Sequence, residues 1–240
     1  MNRLLSTTLL GLGAIALTAT SVSAQTTKVD FNGYDASDFL TIDDEFSDLG
    51  LNLSATNKDG TKSRDLKLFN TKCQGLASKG DLNGCTGNDK DLGFMNQDFG
   101  NALVIQESSK NRGGADDAAG GGIINFAFDF DVSFDAFTLL DVEEHSGAYL
   151  KAFDVDGNEL WSTTKLITGG DKSFQTYNTV DFGAVFGATN VRSIELKLGG
   201  SGAIGDVTYT KTSEAVPEPF SMIGAGLALG AGALLKNRKK

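Results

Sequence analysis

The sequence predicts an all-β body, an antiparallel two-sheet β-sandwich of jelly-roll-like form, between an N-terminal signal peptide and a C-terminal transmembrane helix. Three observations predict the body. From Val29 onward apolar residues recur at period two, and almost no stretch has the i, i+3, i+4, i+7 spacing of an amphipathic helix. Breaks at Gly113-Gly114, Gly120-Gly121-Gly122, Gly169-Gly170 and Gly199-Gly200 supply turns between the runs. In Ile194-Glu195-Leu196-Lys197-Leu198 the charges alternate with apolar residues, as in an antiparallel strand with one wet face.

Residues 1–24 read as a secretory signal. Arg3 supplies the cationic start and Leu4 to Ala19 the apolar run. Val22-Ser23-Ala24 gives the small-residue exit, which places cleavage after Ala24 and before Gln25.

The body, 25–212, is about 190 residues long, a length that one β-rich domain covers. Strands are expected at Val29–Phe31, Leu51–Ala55, Ala102–Gln106, Ile123–Phe130, Phe137–Val142, Tyr149–Val155, Glu159–Thr163, Phe174–Val180, Val191–Leu198 and Asp206–Thr210. In the clearest, Ile124, Phe126, Phe128 and Phe130 share one face and belong to the core. Asp156-Gly157 lies between two of these runs and reads as a hairpin turn, since such turns need φ > 0.

Residues 57–91 are rich in Lys, Asp, Asn and Gly and read as a surface excursion. Cys73 and Cys85, the two cysteines of the chain, lie inside it. Export puts them in an oxidising compartment, which predicts one disulfide worth about 3 kcal/mol on a chain-entropy estimate.

The tail, 213–240, contains the unbroken apolar run 220–235 and the basic end 236–240, with Lys236, Arg238, Lys239 and Lys240. A helix over 220–235 covers about 24 Å at roughly 1.5 Å per residue, so flanking residues complete a crossing of about 30 Å. The terminal cations put the C-terminus inside.

Arg3 and the four cations after Pro219 leave 16 of the 21 Lys and Arg in residues 25–218 against all 31 Asp and Glu, a net charge of about −15. So acidic a surface argues against nucleic acid or anionic lipid as partner and favours cations. His145 is the single histidine, and no Gly-x-Ser-x-Gly elbow accompanies it, so no catalytic residue is assigned. Zinc lacks the His and Cys ligands it needs.

Calcium takes oxygen ligands, which glycine-broken acidic loops offer. No cofactor is required, but structural calcium is a candidate at Asp116 and Asp117, at Asp141 and Glu143 beside Glu144, and at Asp30 with Asp206 if the first and last strands are neighbours. Asp154 to Asn158 resembles half a calcium loop, but Lys165 stands where an EF-hand needs Glu. Trp161, Tyr34, Tyr149 and Tyr177 are the aromatics that could stack on sugar rings, with Trp161 expected in the core. Glycoside hydrolysis would need two carboxylates at a set separation.

Val216-Pro217-Glu218-Pro219, then an apolar helix, then a basic end, resembles the PEP-CTERM sorting signal of Gram-negative bacteria. Pro217 and Pro219 are the two prolines of the whole chain. The resemblance implies processing by an exosortase-type membrane protease, transient anchoring by the C-terminal helix, and export to the cell surface or extracellular matrix. More weakly, the body is similar to β-sandwich domains of PEP-CTERM and other exported bacterial proteins. That likeness rests on Asn101–Gln106, Asp116 to Gly122, Leu140 to Glu144 and Gly200 to Ile204. The expected role is binding or structural and not enzymatic. One alternative is a carbohydrate-binding module of the extracellular polymer or biofilm, with polysaccharide as partner and structural calcium, and another is a secreted glycan-active enzyme.

Overall fold

The computed structural model describes residues 24–34, 41–72, 92–94, 99–107, 115–142, 147–164, 166, 173–178 and 188–212. The signal segment 1–23, the cysteines, Glu143, Glu144, His145, Lys165 and the whole tail, including Val216, Pro217, Glu218 and Pro219, lie outside these residues.

The strands are β1 (Gln25–Val29), β2 (Leu51–Asn57), β3 (Ser63–Arg64), β4 (Leu66–Asn70), β5 (Asn101–Ile105), β6 (Gly122–Leu140), β7 (Tyr149–Phe153), β8 (Glu159–Thr163), β9 (Phe174–Asn178), β10 (Val191–Leu198) and β11 (Ala203–Lys211). Among the described residues the one helical element is a 3-10 turn at Ser47–Leu49. Every pairing is antiparallel, so the all-β antiparallel expectation holds.

The 19-residue strand β6 organises the fold. Its first half, Gly122–Phe128, pairs with β2 on one side and β10 on the other. Its second half pairs with β11 through Val132–Leu140 and with β9 through Ala136–Leu140. From the first half the sheet continues through β10 to β7 and β8, and from the second through β11 to β5 and β4. Register breaks at Arg192 in β10 and at Gly205 in β11 increase the local twist.

The sheet doubles over so that the two halves face each other. Phe126 of the first half meets Phe134 of the second at 6.4 Å between ring centroids, and Phe128 meets Tyr209 of β11 at 4.9 Å. Leu150, Leu196, Ile204 and Val207 complete the seam. Each buried aliphatic or aromatic side chain here contributes about 1.5–3 kcal/mol.

Two expectations need correction. Ile123–Phe130 and Phe137–Val142 form one strand, because Val132 and Phe134 keep the inward alternation going across the acidic stretch between them. Asp131 does not interrupt it, since its carboxylate takes Arg192 Nε at 2.7 Å and its carbonyl accepts from the N–H of Thr212 at 3.0 Å.

The start of the 57–91 segment is also not a surface excursion. Residues 63–64 and 66–70 are strands, and Leu66, Leu68 and Phe69 are buried. Leu66 and Leu68 face the main core, whereas Phe69 faces a second apolar cluster with Leu92, Phe94, Ala102, Val104, Ala115, Leu140 and Ala203. That cluster covers part of the sheet's outer side, so the outer surfaces are not uniformly wet.

The hairpin between β7 and β8 forms as read. Gly157 has φ +80°, and the Asp154 carboxylate accepts from the N–H groups of Asp156 at 3.0 Å and Asn158 at 2.8 Å.

Candidate functional site

The broadest open face is the outer side of the β8-β7-β10-β6-β2 half. Leu150, Ala152, Ile194, Leu196, Ile124, Phe126, Leu53 and Ala55 point inward and are buried. Strand alternation therefore sends their neighbours outward. The registers align them in rows across the strands: Ser162, Lys151, Glu195, Asn125 and Ser54 in one, Tyr149, Lys197, Ile123 and Thr56 in the next. Neighbouring strands lie about 4.8 Å apart, so a row presents a hydrogen-bonding group at nearly every such step over roughly 19 Å.

Tyr149 and Phe153, both on β7, are aromatics of this face, and Tyr149 is the one beside the polar rows. Its hydroxyl donates to the Glu195 carboxylate, while Lys151 Nζ and Lys197 Nζ lie 5.2 and 5.6 Å from its ring centroid. Partial burial, then the hydrogen bond and the negative charge of Glu195, push the Tyr149 phenol up to about 12. Lys151 also pairs with Glu159 at 3.1 Å. Hydrogen bonding from Ser162 first, and then from Lys151, holds the Glu159 carboxyl below its usual range. A general acid for glycoside cleavage needs the opposite shift. The face is flat, polar and aromatic at one end, which suits an extended polymer lying across strands.

The other sequence-predicted aromatics are placed differently. Trp161 is buried in the core, and the Tyr34 hydroxyl donates to the Glu45 carbonyl at 2.8 Å beside Phe46. The side chain of Tyr177 lies outside the described residues.

The predicted calcium residues fall in three places. Asp116, Asp117 and Asp141 are buried, at 8%, 3% and 2% exposure, where solvated loop ends or open cation sites would be exposed. Asp117 Oδ2 accepts from the Gly202 N–H at 2.6 Å, and the Asp116 N–H donates to Gln106 Oε1 at 3.1 Å. A side chain on Gly202 would sit 2.7 Å from Val142 Cγ2 and 3.7 Å from the Asp141 carbonyl oxygen, so the Asp117 segment and the turn after β6 meet at this glycine. The Asp117 carboxylate thus ties its loop to the Gly202 turn.

Asp206 is on the opposite outer face, paired with Lys28 Nζ at 3.1 Å and accepting from Thr138 Oγ1 at 3.1 Å. First and last strands are indeed neighbours, β1 on β11, with Val29 opposite Val207. Asp30, exposed just past β1, accepts from the Asn32 N–H at 3.2 Å. Glu143 lies outside the described residues.

Among the described residues, the one trio of carboxylates within 4.8 Å of each other is Asp43, Asp44 and Glu45, none of which the sequence singled out. Three consecutive acidic residues were visible in the sequence, but no turn signal marked them.

The chain matches no protein-family model, and no curated protein matches it in sequence. Among solved structures it is similar to discoidin II of Dictyostelium discoideum at 12% identity and a TM-score of 0.33, over 75% of this chain and 62% of that one. It is also similar to a fucose binding module, SpX-3, of Streptococcus pneumoniae at 8% identity and a TM-score of 0.29, over 66% of this chain and 99% of that one.

Proposed function

We propose that the chain is an exported, jelly-roll-like β-sandwich of the cell surface or extracellular polymer layer that works by binding polysaccharide on its open sheet face. The signal-like residues 1–24 supply export, and the Pro217-Glu218-Pro219 tail supplies sorting by an exosortase-type protease, with the helix 220–235 as a transient membrane anchor. The observation that carries the binding reading is the pair of cross-strand rows around Tyr149. A ring with an apolar face and a polar rim stands beside Lys197, with Asn125, Ser54 and Thr56 following on the neighbouring strands. Sugars are recognised by this combination of stacking and hydrogen bonding.

The test is affinity electrophoresis of the purified protein in native gels cast with single polysaccharides from the extracellular polymer. Retardation by at least one polymer, lost on Tyr149→Ala with an unchanged melting temperature, is the expected result. Retardation that survives Tyr149→Ala moves the site elsewhere, and unretarded migration in every polymer removes the reading.

A further inference from the structure

We propose that Gln25 becomes the amino terminus on export and closes into a pyroglutamyl ring, so that the displayed protein carries no free α-amine. The inference rests on the export reading above, since the amine exists only once the bond between Ala24 and Gln25 is cut.

Gln25 is exposed at the start of β1, an edge strand whose one partner among the described residues is β11. The side chain is exposed, so its carboxamide can fold back on its own nitrogen. The α-nitrogen attacks side-chain Cδ, and a new N–Cδ bond closes a five-membered lactam. The Cδ–Nε2 bond breaks and that nitrogen leaves as ammonia, taking up the proton the amine gives up. No oxidant or reductant takes part. An α-amine titrates near 7.7–8.0, so at neutral pH a fraction of it is the neutral nucleophile.

The strand pairing favours the closed form. Gln25 stands directly opposite Lys211, and Thr26 Oγ1 and Thr210 Oγ1, 2.8 Å apart, hold that end of the ladder together. Opposed residues in an antiparallel pair have Cα atoms about 4.5–5.5 Å apart, a spacing at which like charges destabilise. Ring closure removes an ammonium from the residue opposite Lys211, whose own Nζ lies 4.2 Å from the Phe130 ring centroid. It also keeps one N–H on the nitrogen, so the terminal residue remains a hydrogen-bond donor. A closed ring leaves aminopeptidases no substrate at the exposed end of an edge strand.

The test is mass spectrometry of the N-terminal peptide of the exported protein, recovered outside the inner membrane and quenched at once in acid. The expected peptide begins at residue 25, is lighter by one ammonia than a glutamine terminus, resists general aminopeptidases, and yields Thr26 as the new terminus after pyroglutamyl peptidase. A peptide that begins at residue 25 with intact glutamine, or that loses ammonia only on standing after the quench, overturns the ring and leaves the export reading in place. A terminus at any other residue overturns the ring together with cleavage after Ala24.

Discussion

The Asp117 carboxylate accepts a 2.6 Å hydrogen bond from the backbone N–H of Gly202, 85 positions further along the chain. Both groups are buried, so neither has water to fall back on. Replacing Asp117 with Ala leaves the amide of Gly202 without its partner and is expected to cost about 1–3 kcal/mol. Asp117→Asn keeps an acceptor and should cost less. Urea denaturation of the two variants beside the parent measures the difference, and equal midpoints for Ala and parent would show that the contact contributes nothing.

Phe69 is fully buried at 0% exposure in the outer apolar cluster. Phe69→Ala should therefore lower stability by about 3–5 kcal/mol, as for other large-to-small core changes. Lys67, on the same strand but half-exposed, should tolerate Ala within about 0.5 kcal/mol. If 66–70 were a loose surface segment, thermal melting would not separate the two variants.

Tyr149→Phe keeps the ring and removes only the hydroxyl that donates to Glu195. Retention of polysaccharide binding in Phe and its loss in Ala would assign the contact to stacking. The reverse, with Phe as weak as Ala, would assign it to the hydroxyl. Isothermal titration against the retarding polymer separates these outcomes.

Burial and Glu195 push the Tyr149 phenol up to about 12 in the folded protein, against an ordinary 10.0. Its folded value is the higher one, so the unfolded chain loses the proton first as pH rises. The stabilising contribution is whole below about 10 and is lost between about 10 and 12. Tyr209 is raised in the same direction by burial and adds to the same alkaline loss. An ultraviolet titration should show late-ionising tyrosine in the folded protein, and Tyr149→Phe should flatten the stability loss over that range.

Calcium gives a fifth measurement, in which no change is expected. Because Asp116 and Asp117 are buried, the Asp117 carboxylate is bonded to the Gly202 N–H and Asp206 is paired with Lys28, excess calcium and chelator should give the same melting temperature. A stabilising site filled to 100 times its Kd would add about 2.7 kcal/mol, well above what calorimetry resolves. A shift of that size would bring the acidic loops back as ligands.

Period-two alternation located β10 to the residue, because Ile194, Leu196 and Leu198 are apolar at every second position, and it located β8 to the residue around the buried Trp161. It divided β6 where Asp129, Asp131 and Asp135 cluster, since the alternation template weighs side-chain polarity and cannot see that an outward Asp strengthens a ladder by pairing with Arg192 or accepting from a threonine. It passed over β4 because three good core residues, Leu66, Leu68 and Phe69, sit between polar runs on both sides. The binding face was legible only as separate residues. Tyr149 is far in sequence from Glu195 and Lys197, and only cross-strand register, which depends on turns and bulges, sets it beside them.

The pairing of Gln25 with Lys211 sets how the first strand responds to a pull on the two ends of the domain. The first residue of β1 lies beside the last residue of β11, so a pull on the two ends opens the ladder from its tip. Each hydrogen bond is then loaded in turn and the strands peel apart at low force. Had the ends lain at opposite extremes of the pair, the same load would have been shared by all the bonds in shear. Traction along the chain should detach β1 first and leave the doubled sheet around β6 intact.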